Sequence, residues 1–181
     1  MRIIAGQLRG RVLTAPEGSE TRPTSDRARE SLFNILNSCL MKQGMLWTEI
    51  TFADVFSGTG AVGLEAYSRG AKEVFCFENN PKTLPYLKQN IGKIAAIHLL
   101  GDALRPPQHA PTSILFMDAP YGQGLWQQAL PAFDVAGWID DNTLIIIETD
   151  KKLHESLPGG YQLLQERSAG RNTFLFMKKE N

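Results

Sequence analysis

Disulfide chemistry has almost nothing to work with in this sequence. Across 181 residues there are two cysteines, Cys39 and Cys76, and they form no CxxC pair. A disulfide framework is excluded, and the usage suits a reducing compartment. Histidine is as scarce: His98, His109 and His154 share no metal-ligand spacing, so no metal is expected. No apolar run approaches the ~20 residues of a membrane-spanning helix. Charge near the N-terminus has no signal-peptide core behind it, so a cytoplasmic protein is expected, with no membrane partner. Net charge is missing too, at +0 for pH 7. That argues against a globally basic nucleic-acid binder but leaves room for a local patch. Such a patch exists: Arg2, Arg9, Arg11, Arg22, Arg27 and Arg29 crowd the first thirty residues, and residues 1–16 contain no acid. Neither a repeat nor a low-complexity tract interrupts the chain. Length and a 43% hydrophobic content suit one domain over 1–181. Within it, 1–45 reads as a hairpin and helix extension and 46–181 as the catalytic sheet.

What the sequence does hold is a glycine turn between a strand and a helix. Thr51 to Phe56 is apolar and β-prone, Ser57-Gly58-Thr59-Gly60 follows, and Gly60 to Arg69 has a helical pattern. That order opens many nucleotide-type cofactor sites, because the glycines allow close approach to the main chain. The spacing Gly58-x-Gly60-x-x-Gly63, with Glu78 about twenty residues on, also satisfies the dinucleotide fingerprint. Against NAD, about fifty residues precede the loop and little chain is left for a substrate domain. A Walker A loop is excluded, since no Gly-Lys-Ser/Thr follows.

The remaining elements alternate. Arg2 to Ala5 and Arg11 to Ala15 are short β-prone runs about a glycine turn, and predict a small hairpin with an arginine-lined rim. Thr24 or Ser25 caps a helix with Ala28, Leu32, Ile35, Leu36 and Cys39 on its core face. Arg27, Arg29 and Glu30 are expected on or beside its other face. Strands follow over Thr51–Phe56, Glu73–Phe77, Ala95–Leu100, Thr112–Met117 and Thr143–Ile147, with helices over Gly60–Arg69, Asn80–Ile91 and Gly122–Phe133. Pro81 is placed near the start of the second of these helices. After a short helix over Lys151–Leu157, Tyr161–Glu166 and Thr173–Met177 form a terminal antiparallel hairpin. Five alternating strands plus a hairpin predict an α/β fold: the Rossmann-like, seven-stranded mixed sheet of class I S-adenosylmethionine-dependent methyltransferases.

Acids fall where such a sheet binds ligands, at the carboxyl ends of its strands. Asp54, inside an apolar strand, needs hydrogen bonds; the Ser57–Gly60 backbone, or water leading to a cofactor ammonium group, is expected to supply them. Glu78 ends the second strand, where a ribose diol needs an acceptor. Asp102 follows the third, where an adenine amine needs one. Each also has a plain reading, as a solvated strand end or a turn former. The expected cofactor set is Asp54, Phe56, Ser57, Gly58, Thr59, Gly60, Glu78, Asn79, Asp102 and Ala103.

The fourth strand ends in Asp118-Ala119-Pro120-Tyr121. An exocyclic nucleobase amine is a poor nucleophile, because its lone pair is delocalised into the ring. Methylating it calls for acceptors that hold both N–H groups while the nitrogen pyramidalises. Asp118 can take one and a carbonyl of Ala119 or Pro120 the other, while Tyr121 stacks on the extruded base. By itself the segment could equally be a strand-to-helix turn.

Several blocks resemble one family. Met1-Arg2-Ile3-Ile4-Ala5-Gly6 with Arg9-Gly10-Arg11, and Arg22-Pro23-Thr24-Ser25-Asp26-Arg27-Ala28-Arg29-Glu30 with Leu32-Phe33-Asn34, are similar to the opening of the RsmD-type 16S rRNA guanine-N2 methyltransferases. Asp54 to Gly60, Gly63-Leu64-Glu65-Ala66 and Glu78 resemble that family's cofactor loop, following helix and ribose-binding acid. One position departs: Ala119 stands where the family usually has proline, which keeps the carbonyl and loses stiffness. The resemblance implies methyl transfer from S-adenosyl-L-methionine to the N2 amine of a guanine in 16S rRNA, free or in a 30S particle or assembly intermediate, by a metal-free monomer. It also implies RNA contact by the N-terminal segment, for which the candidates are Arg2, Arg9, Arg11, Arg22, Thr24 and Arg27. The residues alone leave open an adenine-N6 methyltransferase on DNA or RNA, or an RNA-binding assembly factor.

Overall fold

A computed structural model describes residues 1–16, 25–120, 122–150, 158–170 and 172–180. Seven strands form one sheet: β1 (Thr51–Val55), β2 (Glu73–Phe77), β3 (Ile97–Leu100), β4 (Ile114–Met117), β5 (Leu144–Asp150), β6 (Tyr161–Ala169) and β7 (Asn172–Lys179). Their order is β3-β2-β1-β4-β5-β7-β6. The first five run parallel, and β7 is antiparallel to both β5 and β6. The central strands are largely apolar because both sheet faces are covered, with Asp54 a buried charged exception inside β1. Phe52, Phe116 and Ile146 pack on one face with Leu32, Phe33 and Leu64. Val55, Met117 and Ile147 pack on the other with Phe133 and Trp138.

Among the described residues four α-helices accompany the sheet: α1 (Asp26–Gln43), α2 (Ala61–Ser68), α3 (Leu84–Ile91) and α4 (Leu125–Val135). The α1 cap is Ser25, whose hydroxyl accepts the Ala28 N–H. At its other end Gly44 takes φ +68°, and the Met45 N–H returns to the Leu40 carbonyl, a six-to-one closure. The buried face of α1 is Ala28, Arg29, Leu32, Phe33, Leu36 and Leu40. It is therefore rotated from the expected stripe: Ile35 and Cys39 are only half-buried, and Arg29 points inward.

Other boundaries shift for local reasons. In α3 the first-turn proline is Pro85, not Pro81. Residues 80–83 form a turn first, with the Asn80 side chain accepting the Lys82 N–H. β5 runs past Ile147 to Asp150 because Glu148, Thr149 and Asp150 pair with β7. No α-helix links β3 to β4. The proline-rich link is held instead by His109 stacked on Trp138 at 4.1 Å, and by the Trp138 indole N–H donating to the Pro107 carbonyl at 2.7 Å. The expected helix over Lys151–Leu157 lies outside the described residues. Among the described residues, no helix is long and apolar enough to cross a membrane.

The N-terminal hairpin is reduced to one antiparallel bridge, Arg2 with Val12, flanked by main-chain bonds from Ile3 to Arg11 and from Leu13 to Met1. Docking on α2 completes it. Ile4 and Ala5 N–H groups donate to the Glu65 carboxylate at 2.7 and 3.1 Å. Gln7 N–H donates to the Ser68 carbonyl, Leu8 N–H to the Ser68 hydroxyl, and that hydroxyl to the Ala5 carbonyl. The chain turns at Gly6, with φ +82°, so close that an added Cβ would lie 1.7 Å from the Ser68 carbonyl oxygen. Gly6→Ala should therefore destabilise the protein by about 2–4 kcal/mol, combining backbone strain with overpacking. Urea unfolding of the variant measures this; an unchanged midpoint would contradict the seam.

Candidate active site

The chain leaves β1 outward to β2 and β3, then returns to pair β4 against β1. That reversal is a topological switch point, and the crevice beyond the strand ends there is where open α/β sheets bind ligands. Val55 pairs with Met117, so the Phe56–Gly60 loop and the Asp118–Ala119–Pro120 turn leave the sheet side by side. The Asp118 N–H still reaches the Val55 carbonyl at 3.3 Å.

The loop is shaped by left-handed residues. Gly58 has φ +56° and Gly60 φ +82°. Phe56 has φ +64°, a conformation an aromatic side chain adopts only under constraint, and such constraint concentrates at functional sites. The constraint is visible: Ser57 N–H donates to the Phe77 carbonyl at 2.8 Å, and Ser57 Oγ to the Asp54 carbonyl at 2.6 Å. The Asn90 amide donates to the Thr59 carbonyl at 3.0 Å. A Cβ on Gly58 would meet nothing within 4 Å, so the loop backbone there faces open space. Gly63 serves packing instead: a Cβ would sit 2.9 Å from Cys76 Sγ and 3.0 Å from an Asp54 oxygen.

That closeness supplies Asp54 with its partner. Asp54 is 1% exposed and accepts the Gly63 N–H at 2.8 Å. The Gly63 amide takes the place of the expected donors, the Ser57–Gly60 amides, because strand alternation points this side chain toward the first turn of α2. Burial raises the Asp54 pKa from 3.8 to about 7; the Gly63 bond opposes this, and the Asp118 and Glu78 carboxylates add to it. Glu78 is half-buried and accepts N–H groups from Gly58 at 2.9 Å and Asn80 at 2.6 Å. Burial raises its pKa too, against the pull of those bonds and of the Asn79 N–H. Asp102 accepts the Leu104 N–H at 2.9 Å, making the turn that its plain reading anticipates, and Ala103 is buried beside it. Asp54, Glu78 and Asp118 thus gather about the glycine loop, with Glu78 on the Gly58 N–H, Asp54 on the Gly63 N–H and Asp118 close enough to raise the Asp54 pKa, an arrangement that repels a pyrophosphate and favours a cation.

In the fourth-strand turn Asp118 is half-buried, Ala119 is 4% exposed and Pro120 is exposed. Ala119 packs into the core shared with Met117 and Trp126, and that packing holds the turn where the family's proline would stiffen it. Tyr121 lies outside the described residues.

Of the N-terminal candidates, Arg2, Arg9 and Arg27 are exposed, and with Glu30 they line a cleft of about 500 Å³. Arg11 is half-buried and donates to the Asn90 carbonyl at 2.5 Å. Arg22 and Thr24 lie outside the described residues. Three buried charges escaped the sequence reading: Arg29, Glu65, and Glu148 near the end of β5, which accepts from the Asn172 amide. Arg29 is fully buried, donating to the Arg2 carbonyl at 2.6 Å and to Asp26 at 2.9 Å. Glu65 is fully buried, with Arg69 Nε at 2.8 Å and Arg29 Nε at 3.9 Å. A lone acid in the otherwise apolar stretch Ala61–Ala66 was the available signal.

A mixed sheet in this order, with an acid-ringed glycine loop at its switch point, has the class I methyltransferase architecture. The family model described as Conserved hypothetical protein 95 matches residues 1–178, and the chain belongs to that family, the RsmD family its motifs resemble. It is 31% identical to Ribosomal RNA small subunit methyltransferase D of Escherichia coli K12, over 99% of this chain and 90% of that protein. It is 33% identical to the protein of the same name from Haemophilus influenzae, over 94% of this chain and 89% of that one. The solved structure of yhhF from Escherichia coli superposes with a TM-score of 0.81 at 31% identity, covering 99% of this chain and 98% of that one.

Proposed function

We propose that this chain transfers a methyl group from S-adenosyl-L-methionine to the exocyclic N2 amine of a guanine in 16S rRNA. The observation that carries the reading is the meeting, at one switch point, of the carboxylate-ringed loop and the Asp118 turn. The names of the similar proteins support ribosomal RNA as the substrate class. Guanine and its N2 rest on the family resemblance.

S-adenosylmethionine supplies an electrophilic methyl group on a cationic sulfonium, near a second positive charge on its ammonium group. The donor set fits such a group: burial, with the Asp118 and Glu78 carboxylates beside it, disfavours ionisation of Asp54 until positive charge is placed there. Glu78 is poised to exchange its Gly58 bond for a ribose diol, and the open face of Gly58 lets the ligand touch backbone. Asp118 and a carbonyl of Ala119 or Pro120 accept the two amine N–H bonds, orienting the nitrogen lone pair. Arg2, Arg9 and Arg27 hold the RNA backbone. The direct test is methylation of naked rRNA and small-subunit particles with labelled cofactor, followed by mapping of the modified nucleotide. Label on an adenine, or on no RNA at all, would overturn the reading.

The raised Asp54 pKa gives a second test. Between about pH 4 and 7 the folded protein holds a proton that the unfolded chain has released, so this group's contribution to stability is lost as pH rises through that window. A cation favours the ionised carboxylate and expels the proton. Cofactor affinity should therefore rise about tenfold from pH 6 to pH 8, with proton release on binding. Calorimetry in buffers of different ionisation enthalpy measures both, and Asp54→Asn should flatten the profile. A flat profile in the unaltered protein would remove Asp54 from the site, and binding of NAD instead would remove the cofactor assignment.

A further inference from the structure

A second groove runs between α1 and the edge strand β6. Its volume is about 520 Å³, and its walls carry Arg27, Lys42 and Arg167 with Ser31, Asn34 and Gln165. On α1, positions 27, 31, 34, 38 and 42 recur at helical spacing, so they form one stripe. Exposed helix faces usually alternate acids with bases. This one holds small hydrogen-bonding side chains between cations, and among the described residues Glu30 is the one acid in the groove's lining. Arg27, Lys42 and Arg167 enter no ion pair among the described residues. From Arg27 to Lys42 the stripe spans about 22 Å.

Two observations connect this groove to the proposed active site. Arg27 and Glu30 also line the cleft that holds Arg2 and Arg9, so the two clefts adjoin at those side chains. The strand register then orients it. Arg167 pairs with Phe174, and Phe174 with Glu148, one residue beyond the Ile147 that pairs with Met117. Arg167 therefore stands at the sheet edge from which Asp118 projects.

We infer that the polar face of α1 and the adjoining edge of β6 form a track for the phosphate backbone of the substrate RNA, continuing through Arg27 from the Arg2–Arg9 cleft. The inference rests on the RNA-methyltransferase reading above. Phosphates pair with the cations, while Asn34, Ser31 and Gln165 offer neutral donors to phosphate and sugar oxygens. The charge of the track matches a polyanion and suits neither an apolar partner nor a cationic one.

The test is binding of a small-subunit rRNA transcript across a salt series. Combined Lys42→Ala and Arg167→Ala should weaken binding about tenfold at moderate salt and reduce the slope of log K against log salt by about 1.4, as expected for two lost single-strand phosphate contacts. Ser38→Glu, which removes no cation, should also weaken binding by placing negative charge in the track. Lys88→Ala with Lys93→Ala, beside the opposite edge strand β3, makes the same change in net charge and should leave the slope unaltered. A slope unchanged in the first variant, or changed equally in the β3-edge control, overturns the track. Binding is read without turnover, so absence of methyl transfer by the unaltered protein would sink the proposed function and leave this measurement to judge the track.

Discussion

Asp118→Ala is expected to cut methyl transfer by at least about a hundredfold, the scale for removing one preorganised electrostatic partner from a reacting group. Cofactor affinity should change by no more than about threefold, since Asp54 and Glu78 stay in place with their own N–H partners. The asymmetry is the informative part. The Asp118 N–H bond to Val55 and the packing of Ala119 hold the turn through groups that the substitution keeps. What disappears is an acceptor for the substrate amine, which matters as nitrogen rehybridises and hardly at all beforehand. Single-turnover rates and cofactor titration separate the two. Transfer at the normal rate would show that Asp118 is not the acceptor. Parallel loss of cofactor binding would show that it serves the other ligand.

The second large effect concerns folding. Glu65→Leu is expected to lower stability by about 3–5 kcal/mol, the scale for stripping one partner from a buried ionic cluster. For a chain of this size that corresponds to a fall of roughly 10–15 °C in Tm. The carboxylate is fully buried and serves Ile4, Ala5 and Arg69, with Arg29 at 3.9 Å. Without it, two backbone N–H groups and the Arg69 guanidinium lose an acceptor inside the fold. Glu65→Gln, which keeps the shape and one carbonyl acceptor, should lose roughly half as much. Calorimetric melting distinguishes them, and equal, small losses in both variants would show that the cluster contributes little.

Glu65 and Arg29 also mark the limit of what could be read from residues in order. The sheet was legible because its central strands are apolar runs, with Glu78 and Asp118 just past the ends of β2 and β4 and Asp54 inside β1, and periodicity needs only near neighbours. The class of site was legible for the same reason, since strand ends and a glycine turn are local features. Burial of Arg29 was not, because beyond Asp26 on its own helix its partners come from Arg2, 27 residues away, and from α2. An amphipathic pattern assigns a charge to the surface unless a distant acid takes it inside. The donor to Asp54 failed similarly: the amide chosen by the fold is nine residues away, in the helix rather than in the loop. The left-handed Phe56 had no signal at all, since its constraint comes from the end of β2.

One side-chain amide bears on how this protein could be taken apart. Buried Asn90 accepts the Thr14 N–H and hydroxyl and donates to the Thr14 carbonyl and to the Thr59 carbonyl, while its own main-chain oxygen accepts from Arg11. The segment carrying the candidate RNA contacts and the loop facing the cofactor thus share a single anchor. A chain begun at residue 46 would keep every strand of the sheet, yet it would leave that amide with Thr59 alone and the Glu65 carboxylate without its two backbone donors. The N-terminal hairpin is therefore a wall of the methyltransferase body rather than a detachable adaptor. Grafting it onto another sheet would transfer its arginines without the buttress that sets their distance from the reaction.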